Sequence, residues 1–281
     1  MEEIKLFQTI KNEWVSNHDI LKALEQCDAH RCKILYIHTG LSFGIPNPAL
    51  HKNDILQILY QTIQELKVPT ICVPTFTFSF CNGMDFDLRK SKSKMGSLNE
   101  FIRKQPEAVR SVDPLMSVAM VGEDKDIATG IGHESIGENS TFSKLHFRKD
   151  VRFLFLGVRL GDCFTYMHFI EKFLNVDYRY DMDFTGKITI DDKTYTDTFK
   201  LFVRFRNILP GKGSYVYEDM LLENKMAKRA LCGNSFISSV EEPPAFELYK
   251  KLIEKDPNYF IDPKSVFDQD KTFEVKDMVA L

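Results

Sequence analysis

Thr165, His168 and Glu171 recur at every third position of Cys163-Phe164-Thr165-Tyr166-Met167-His168-Phe169-Ile170-Glu171-Lys172-Phe173-Leu174. On a helix, positions three apart share a face. A hydroxyl, an imidazole and a carboxylate would then line up, while Phe164, Met167, Phe169 and Ile170 pack elsewhere. A carboxylate beside an imidazole raises its basicity and fixes its tautomer, which is the arrangement of a general base. The same spacing also suits a His-Glu pair on an amphipathic surface helix. It suits two ligands of a metal ion as well, with His133 or Asp162 as a third. Spacing alone leaves these readings open.

The elements around the triplet read as an α/β fold. Lys33–His38 and Thr70–Pro74 are short apolar runs bounded by turn residues, the pattern of buried strands. Between them Asn53–Leu66 carries Ile55, Leu56, Leu59 and Ile63 on one helical side. Val151–Val158 is the clearest strand in the chain, and the triplet follows it after a short loop. That places the triplet near the carboxyl end of a strand, where open α/β sheets put their sites. Residues 3–28 read as helix broken near Ser16-Asn17, 75–96 as a long loop, and Ser97–Glu100 as a capping box opening a helix to about Arg103. Ser117–Met120 reads as a strand, and Ser140 as the cap of a helix over Thr141–Phe147. Beyond Asp183 the pattern becomes a β-hairpin through Phe205, then mixed helix and loop with a helix over Ala245–Lys255. The expected architecture is three-layer α/β/α around a central mixed sheet, with a smaller C-terminal β-hairpin and helical part, all in one domain over 1–281.

Totals narrow the function classes. The 281 residues are 43% hydrophobic and 27% charged, with formal net charge −3. A soluble globular protein is expected, and the absence of a basic block argues against a nucleic-acid partner. The start Met1-Glu2-Glu3-Ile4-Lys5 does not resemble a signal peptide, and no run approaches the roughly 18 apolar residues that span a membrane. Six dispersed cysteines without a C-x-x-C pair fit reduced thiols in a cytoplasmic protein, and no metal site is expected from them.

Other motifs offer weaker chemistry. Thr39-Gly40-Leu41-Ser42 follows the first strand; its glycine and hydroxyls suit a ligand loop or a plain tight turn. Thr75 and Thr77 end the second strand, and Arg110 stands beside a turn where it can meet a phosphate or Asp113. Gly130-Ile131-Gly132-His133-Glu134-Ser135-Ile136-Gly137 has its third glycine too late for a dinucleotide fingerprint. Taken alone, His38 and His133 read as structural. The run Asp177-Tyr178-Arg179-Tyr180-Asp181-Met182-Asp183 reads as an exposed loop or as a platform for a polyhydroxylated or cationic substrate, with Asp177, Tyr178 and Asp181 as its contacts.

In their order these segments resemble the aminoglycoside 3-N-acetyltransferase (antibiotic N-acetyltransferase) family from about Ile34 to Glu171. His38-Thr39-Gly40-Leu41-Ser42 stands for the family's His-Ser-Ser-Leu-Ser, and Pro74-Thr75-Phe76-Thr77 for its Pro-Thr-Phe-Thr. Met95-Gly96, Phe101, Arg103, Arg110-Ser111-Val112-Asp113-Pro114 and Ser117-Val118-Ala119 continue the series. Gly137-Glu138-Asn139-Ser140-Thr141 matches the family's Gly-x-x-Ser-Pro in part, and Gly157 with Thr165, His168 and Glu171 matches its closing Thr-x-x-His-x-x-Glu. Asp113 replaces the family's His, and Thr141 replaces its Pro.

The resemblance implies transfer of acetyl from acetyl-CoA to an amine without a metal, with His168 as base, Glu171 steadying it and Thr165 orienting acceptor or thioester. It implies that Thr39, Gly40, Leu41, Ser42, Thr75, Thr77, Arg110 and Ser117, together with the flanking His38 and Phe43, hold coenzyme A. Residues 1–182 would bind the donor and catalyse, and 183–281 would complete the acceptor side. The expected partner is a small amine, tilted by Asp113 toward an amino sugar other than an antibiotic. An acyl-enzyme on Cys163, a metal-dependent hydrolase and a non-catalytic sugar- or nucleotide-binding module are the competing readings.

Overall fold

The computed structural model, which describes residues 1–270 and 272–274, begins with a hairpin where the sequence suggested helix. Strands β1 (Lys5–Gln8) and β2 (Trp14–Ser16) pair antiparallel around a turn that holds Asn12 at φ 62°. Helix α1 (Asn17–Gln26) starts only at Ser16, whose side chain and that of Asp19 close a reciprocal capping box.

The chain then enters β3 (Ile34–Thr39), crosses the short β4 (Ile45–Pro46) and α2 (Lys52–Gln64), and returns in β5 (Thr70–Pro74). Ile55, Leu56, Leu59 and Ile63 of α2 are all buried, as their spacing requires. The segment 75–96 is a loop that carries one 3-10 turn (Phe80–Asn82) and the two-residue strand β6 (Phe86–Asp87). Helix α3 (Ser97–Arg103) is capped by Gly96 at φ 99°, not by Ser97. Gly96 holds that place because a Cβ there would stand 2.9 Å from Thr39 Oγ1. Glu100, freed from the expected capping box, accepts from Ser93 N–H and from Nε and Nη2 of Arg103.

Strands β7 (Val109–Arg110) and β8 (Val118–Gly122) follow, then α4 (Thr141–His146), capped by Ser140 as expected, and β9 (Val151–Leu156). The seven-stranded central sheet runs β12-β13-β9-β3-β5-β8-β7, with β12 (Ala227–Cys232) and β13 (Ser235–Glu241) coming from the C-terminal part. Only β9, β3 and β5 are mutually parallel, and these three are buried nearly end to end. That is why they read as continuous apolar runs. Alternate residues serve two separate cores. Tyr36, Cys72 and Phe153 face one, and Leu35, Ile71 and Leu154 face the other. The architecture is therefore the expected mixed α/β layering.

Two short helices, α5 (Leu160–Cys163) and α6 (Met167–Phe173), separate β9 from a long hairpin. Its arms β10 (Arg179–Ile190) and β11 (Lys193–Arg204) pair antiparallel over their full length, and β10 adds β6 in parallel. The hairpin is longer than the sequence suggested. Most of the acidic-aromatic run lies in β10, so Asp181 and Asp183 are strand residues and not part of a loop. Helix α7 (Gly213–Glu223) precedes β12, and α8 (Glu242–Lys255) covers Ala245–Lys255 as expected. Among the described residues no helix is long and apolar enough to cross a membrane.

Candidate active site

The site forms where β3 and β9, neighbours in register at Thr39 and Leu156, release their chains. Both exits need tight backbone turns. Gly157 sits at φ 69° with its Cβ position 2.7 Å from the Ser42 amide nitrogen, and Gly40 faces the Gly157 carbonyl just as closely. A side chain at either glycine would part the two loops. Leu41 between them holds φ 55°, a left-handed conformation that a branched-chain residue adopts at a cost.

Thr165 lies in the bend before α6, not on the helix. Its hydroxyl donates to the Cys163 carbonyl, and its own carbonyl accepts the His168 amide at 3.0 Å. The expected three-residue helical face is thus reduced to His168 and Glu171, with Thr165 setting the start of the turn that carries them. Cys163 is half-buried and donates its thiol to the Arg159 carbonyl, and burial raises that thiol well above its ordinary value.

His168 Nδ1 lies 2.7 Å from Glu171 Oε2. Glu171 is buried and held from every side. Tyr178 donates to Oε1 at 2.9 Å, Tyr249 to the same oxygen at 3.2 Å, and Arg179 Nε stands 2.8 Å from Oε2 as an ion pair. Burial works against its charge, but Arg179, then His168 and Tyr178, outweigh it and hold the carboxyl down at about 2. Glu171 therefore stays ionised. His168 keeps about a third of its side chain open, 32%. Burial and the Arg179 charge lower its pKa more than Glu171 raises it, so the ring is neutral at neutral pH.

Arg179 Nη2 also points at His168 Nδ1, at 2.9 Å. One nitrogen cannot serve both neighbours. A bare Nδ1 facing a carboxylate at 2.7 Å would set two acceptors against each other in a buried site. The charge-assisted Nδ1–H to Glu171 bond is the shorter and stronger option, and Arg179 keeps Glu171 and the Phe202 carbonyl as partners. On this assignment Nε2 carries a lone pair toward the open side, as a base requires.

The remaining site residues divide by burial. Gly40 and Ser42 are exposed, and Thr39 and Leu41 half-buried, with Thr39 donating to Asn99 at 2.9 Å. An open cleft of about 650 Å³ meets this loop at Gly96, lined among others by Lys52, Lys92, Lys94 and Lys104. Thr75, Thr77, Arg110 and Ser117 turn inward instead. Arg110 donates to the Ser117 hydroxyl and the Leu88, Ser91 and Thr75 carbonyls, Thr75 donates to the Ser117 carbonyl, and Thr77 donates to that of Pro114. Burial brings Arg110 down to about 9. These four pin the 75–96 loop to the sheet. His38 is sealed in the core, stacked at 5.2 Å on Phe155 with Nε2 unpartnered, and burial pushes it down to about 3. Phe43 is fully buried.

Asp113, at the family's His position, caps its own turn, accepting from the Leu115 and Met116 amides and the Ser135 hydroxyl. Of the acidic-aromatic residues, Tyr178 is spent on Glu171, Asp181 pairs with Lys172, and Asp177 is exposed. Asp162 accepts from Tyr215 and His133 pairs with Asp197, and among the described residues no three candidate ligands converge on a metal position.

Three residues of the site escaped the sequence reading. Tyr249 is indistinguishable there from any buried aromatic of α8. Arg179 stands eight residues beyond Glu171 and across an element boundary. Arg204, which faces Arg179 across β10 and β11, belongs to a strand whose partner only the pairing defines.

The aminoglycoside 3-N-acetyltransferase family model matches residues 55–254. The chain belongs to that family. It is thus one of the N-acetyltransferases. No curated protein matches it in sequence. Solved structures share its fold at low identity. Aminoglycoside acetyltransferase AAC(3)-Xa is 19% identical with a TM-score of 0.72, over 86% of this chain and 93% of that one. The YokD protein of Bacillus subtilis is 17% identical at 0.69, over 89% and 95%. AAC-IIIb, solved with CoASH, is 16% identical at 0.70, over 85% and 96%.

Proposed function

We propose that this N-acetyltransferase moves the acetyl group of acetyl-CoA directly to a primary amine of an amino sugar, with His168 as general base. The observation that carries the reading is the 2.7 Å contact between a neutral, partly open imidazole and a buried, ionised Glu171, in a chain whose family is defined by acetyl transfer.

An amine near neutral pH is mostly an ammonium without a lone pair. His168 Nε2 takes a proton from it as the nitrogen attacks the thioester carbonyl. The carbon–sulfur bond then breaks, the same proton can pass to the departing CoA sulfur, and the acylated nitrogen releases its second proton to water to leave the neutral amide. Glu171 holds the ring in the right tautomer and stabilises the imidazolium that forms between these steps. Base assistance of this kind contributes on the order of 10²–10⁴ in rate.

Support for the donor side comes from the loop 39–42 and its neighbouring lysine cleft. Gly40 and Leu41 spend their amides on the Leu156 carbonyl, so exposed Ser42 offers its hydroxyl to the pantetheine arm, and Lys52, Lys92, Lys94 and Lys104 supply positive charge for phosphates. The related AAC-IIIb binds CoASH, and AAC-VIa has been solved with sisomicin, which makes acetyl-CoA and an amine the pair to test. The hairpin β10–β11, contributing Arg179 and Arg204 beside His168, would complete the acceptor side.

The test is an acceptor screen with acetyl-CoA, reading thiol release together with the mass of the acetylated product. Acetylation of at least one amine, lost in His168→Ala, is the expected result. Thiol release that persists unchanged in His168→Ala would overturn the role of the base.

A further inference from the structure

Arg179 and Arg204 face each other as partners across β10 and β11. Directly opposed residues on an antiparallel pair project from the same face with Cβ atoms about 4.5–5.5 Å apart, and like charges so placed destabilise the sheet. One of the two charges is answered: Arg179 pairs with Glu171. The other is not. Among the described residues Arg204 has no hydrogen-bond or ion-pair partner, and none of its nitrogens is sealed from solvent. Its backbone nevertheless lies between buried Val203 and Phe205. Burial and Arg179 act against its charge more than Glu171 and Tyr178 favour it, and its field reaches His168.

The carboxylates within reach do not balance it. Glu171 is shared by Arg179, His168, Tyr178 and Tyr249, and Asp181 by Lys172. A polycationic antibiotic would have to bring further positive charge up to two guanidinium groups beside the base. An acceptor with an oxyanion would meet a vacant, planar, forked donor at that point.

From this juxtaposition we propose that Arg204 is a specificity determinant that binds an oxyanion carried by the acceptor, so that the natural substrate is an acidic amino sugar, phosphorylated or carboxylated. The inference rests on the acetyltransferase reading for its amine and on the β10–β11 pairing for its anion. Bound there, the anion answers the unpaired Arg204 charge and turns the amine toward His168 Nε2. Loss of the free cation on binding also lets His168 keep its proton more readily, which suits a base that must carry one in transit.

The experiment compares matched acceptors on the full-length protein with saturating acetyl-CoA: glucosamine against glucosamine 6-phosphate, against UDP-glucosamine and against glucosaminuronic acid, with gentamicin as the polycation. The expected result is kcat/KM at least tenfold higher for an acidic member than for glucosamine, the phosphate or carboxylate arm identifying the source of the anion. Arg204→Met should cut that ratio below threefold through KM, Arg204→Lys should restore part of it, and CoA affinity should not change in either. A preference for glucosamine or gentamicin, or loss of CoA affinity in Arg204→Met, overturns the proposal. Should no amine be acetylated, the same variants are read by 31P line broadening with inorganic phosphate: broadening that Arg204→Met abolishes supports the anion site by itself while the acetyltransferase reading falls, and equal broadening in both proteins overturns the anion site.

Discussion

Glu171 Oε2 stands 2.7 Å from His168 Nδ1 and 2.8 Å from Arg179 Nε, so one carboxylate oxygen anchors both the candidate base and a buried guanidinium. The two contacts pull His168 in opposite senses. The carboxylate favours its protonated form, while the guanidinium and burial favour the neutral one, and the latter win.

His168→Ala removes the proton acceptor but none of the loop that would hold the donor. It is expected to lower kcat by about 100-fold or more, with CoA affinity nearly unchanged. Steady-state kinetics beside a CoA titration check both halves of the statement.

The pH profile should follow His168. Its pKa lies below the ordinary 6.5, so the free base persists below that pH and kcat/KM should fall only on a limb centred under 6.5. Arg179→Met removes one cause of the lowering, and the limb should move to higher pH. A limb that stays in place would mean that another group titrates.

Acid should also weaken the fold, in one direction for three groups. Glu171, held at about 2, contributes stability that is present above its unfolded value near 4.5 and is lost as pH falls toward 2. His38, pushed down to about 3, and His168 stay neutral when folded while the unfolded chain takes up protons below about 6.5. Urea midpoints should therefore decline from pH 6.5 downward, and His38→Gln should flatten the upper part of that decline.

Cys163→Ser is expected to remain active. Its thiol is half-buried, bonded to the Arg159 carbonyl and raised by burial, the opposite of an activated nucleophile. An acetylated Cys163 trapped by rapid quench and found by peptide mass would redirect the chemistry through the enzyme.

Arg110→Met should act on stability more than on the donor. It strands the Leu88 and Ser91 carbonyls, while the Ser117 hydroxyl still serves that of Thr75, and unsatisfied buried acceptors cost about 1–3 kcal/mol each. A drop in Tm of roughly 6 °C or more is expected, measured by calorimetry. A large loss of CoA affinity in the still-folded variant would instead give Arg110 a direct part in binding the donor.

Much of this was legible in the chain. Continuous apolar runs at Ile34, Thr70 and Val151 became the parallel centre of the sheet because strands buried on both faces need no alternation. The i, i+3 spacing of His168 and Glu171 became a contact because it falls within one helix. Where local sequence misled, a distant partner was responsible. Gly96 displaced Ser97 as the cap of α3 because Thr39 lies against it. Thr165 left the helix for the Cys163 carbonyl.

Sequence by itself determined the family, through the order of its motifs, four of the seven central strands, and the imidazole–carboxylate pair, since each motif spans only a few positions. Only the tertiary structure decided that pair's electrical state and what faces it. Tyr249 and Arg179 reach Glu171 from α8 and β10, and Arg204 meets Arg179 only because β11 folds back along β10 in that register. Charge is set by distance in space, and chain spacing records distance only within a single element.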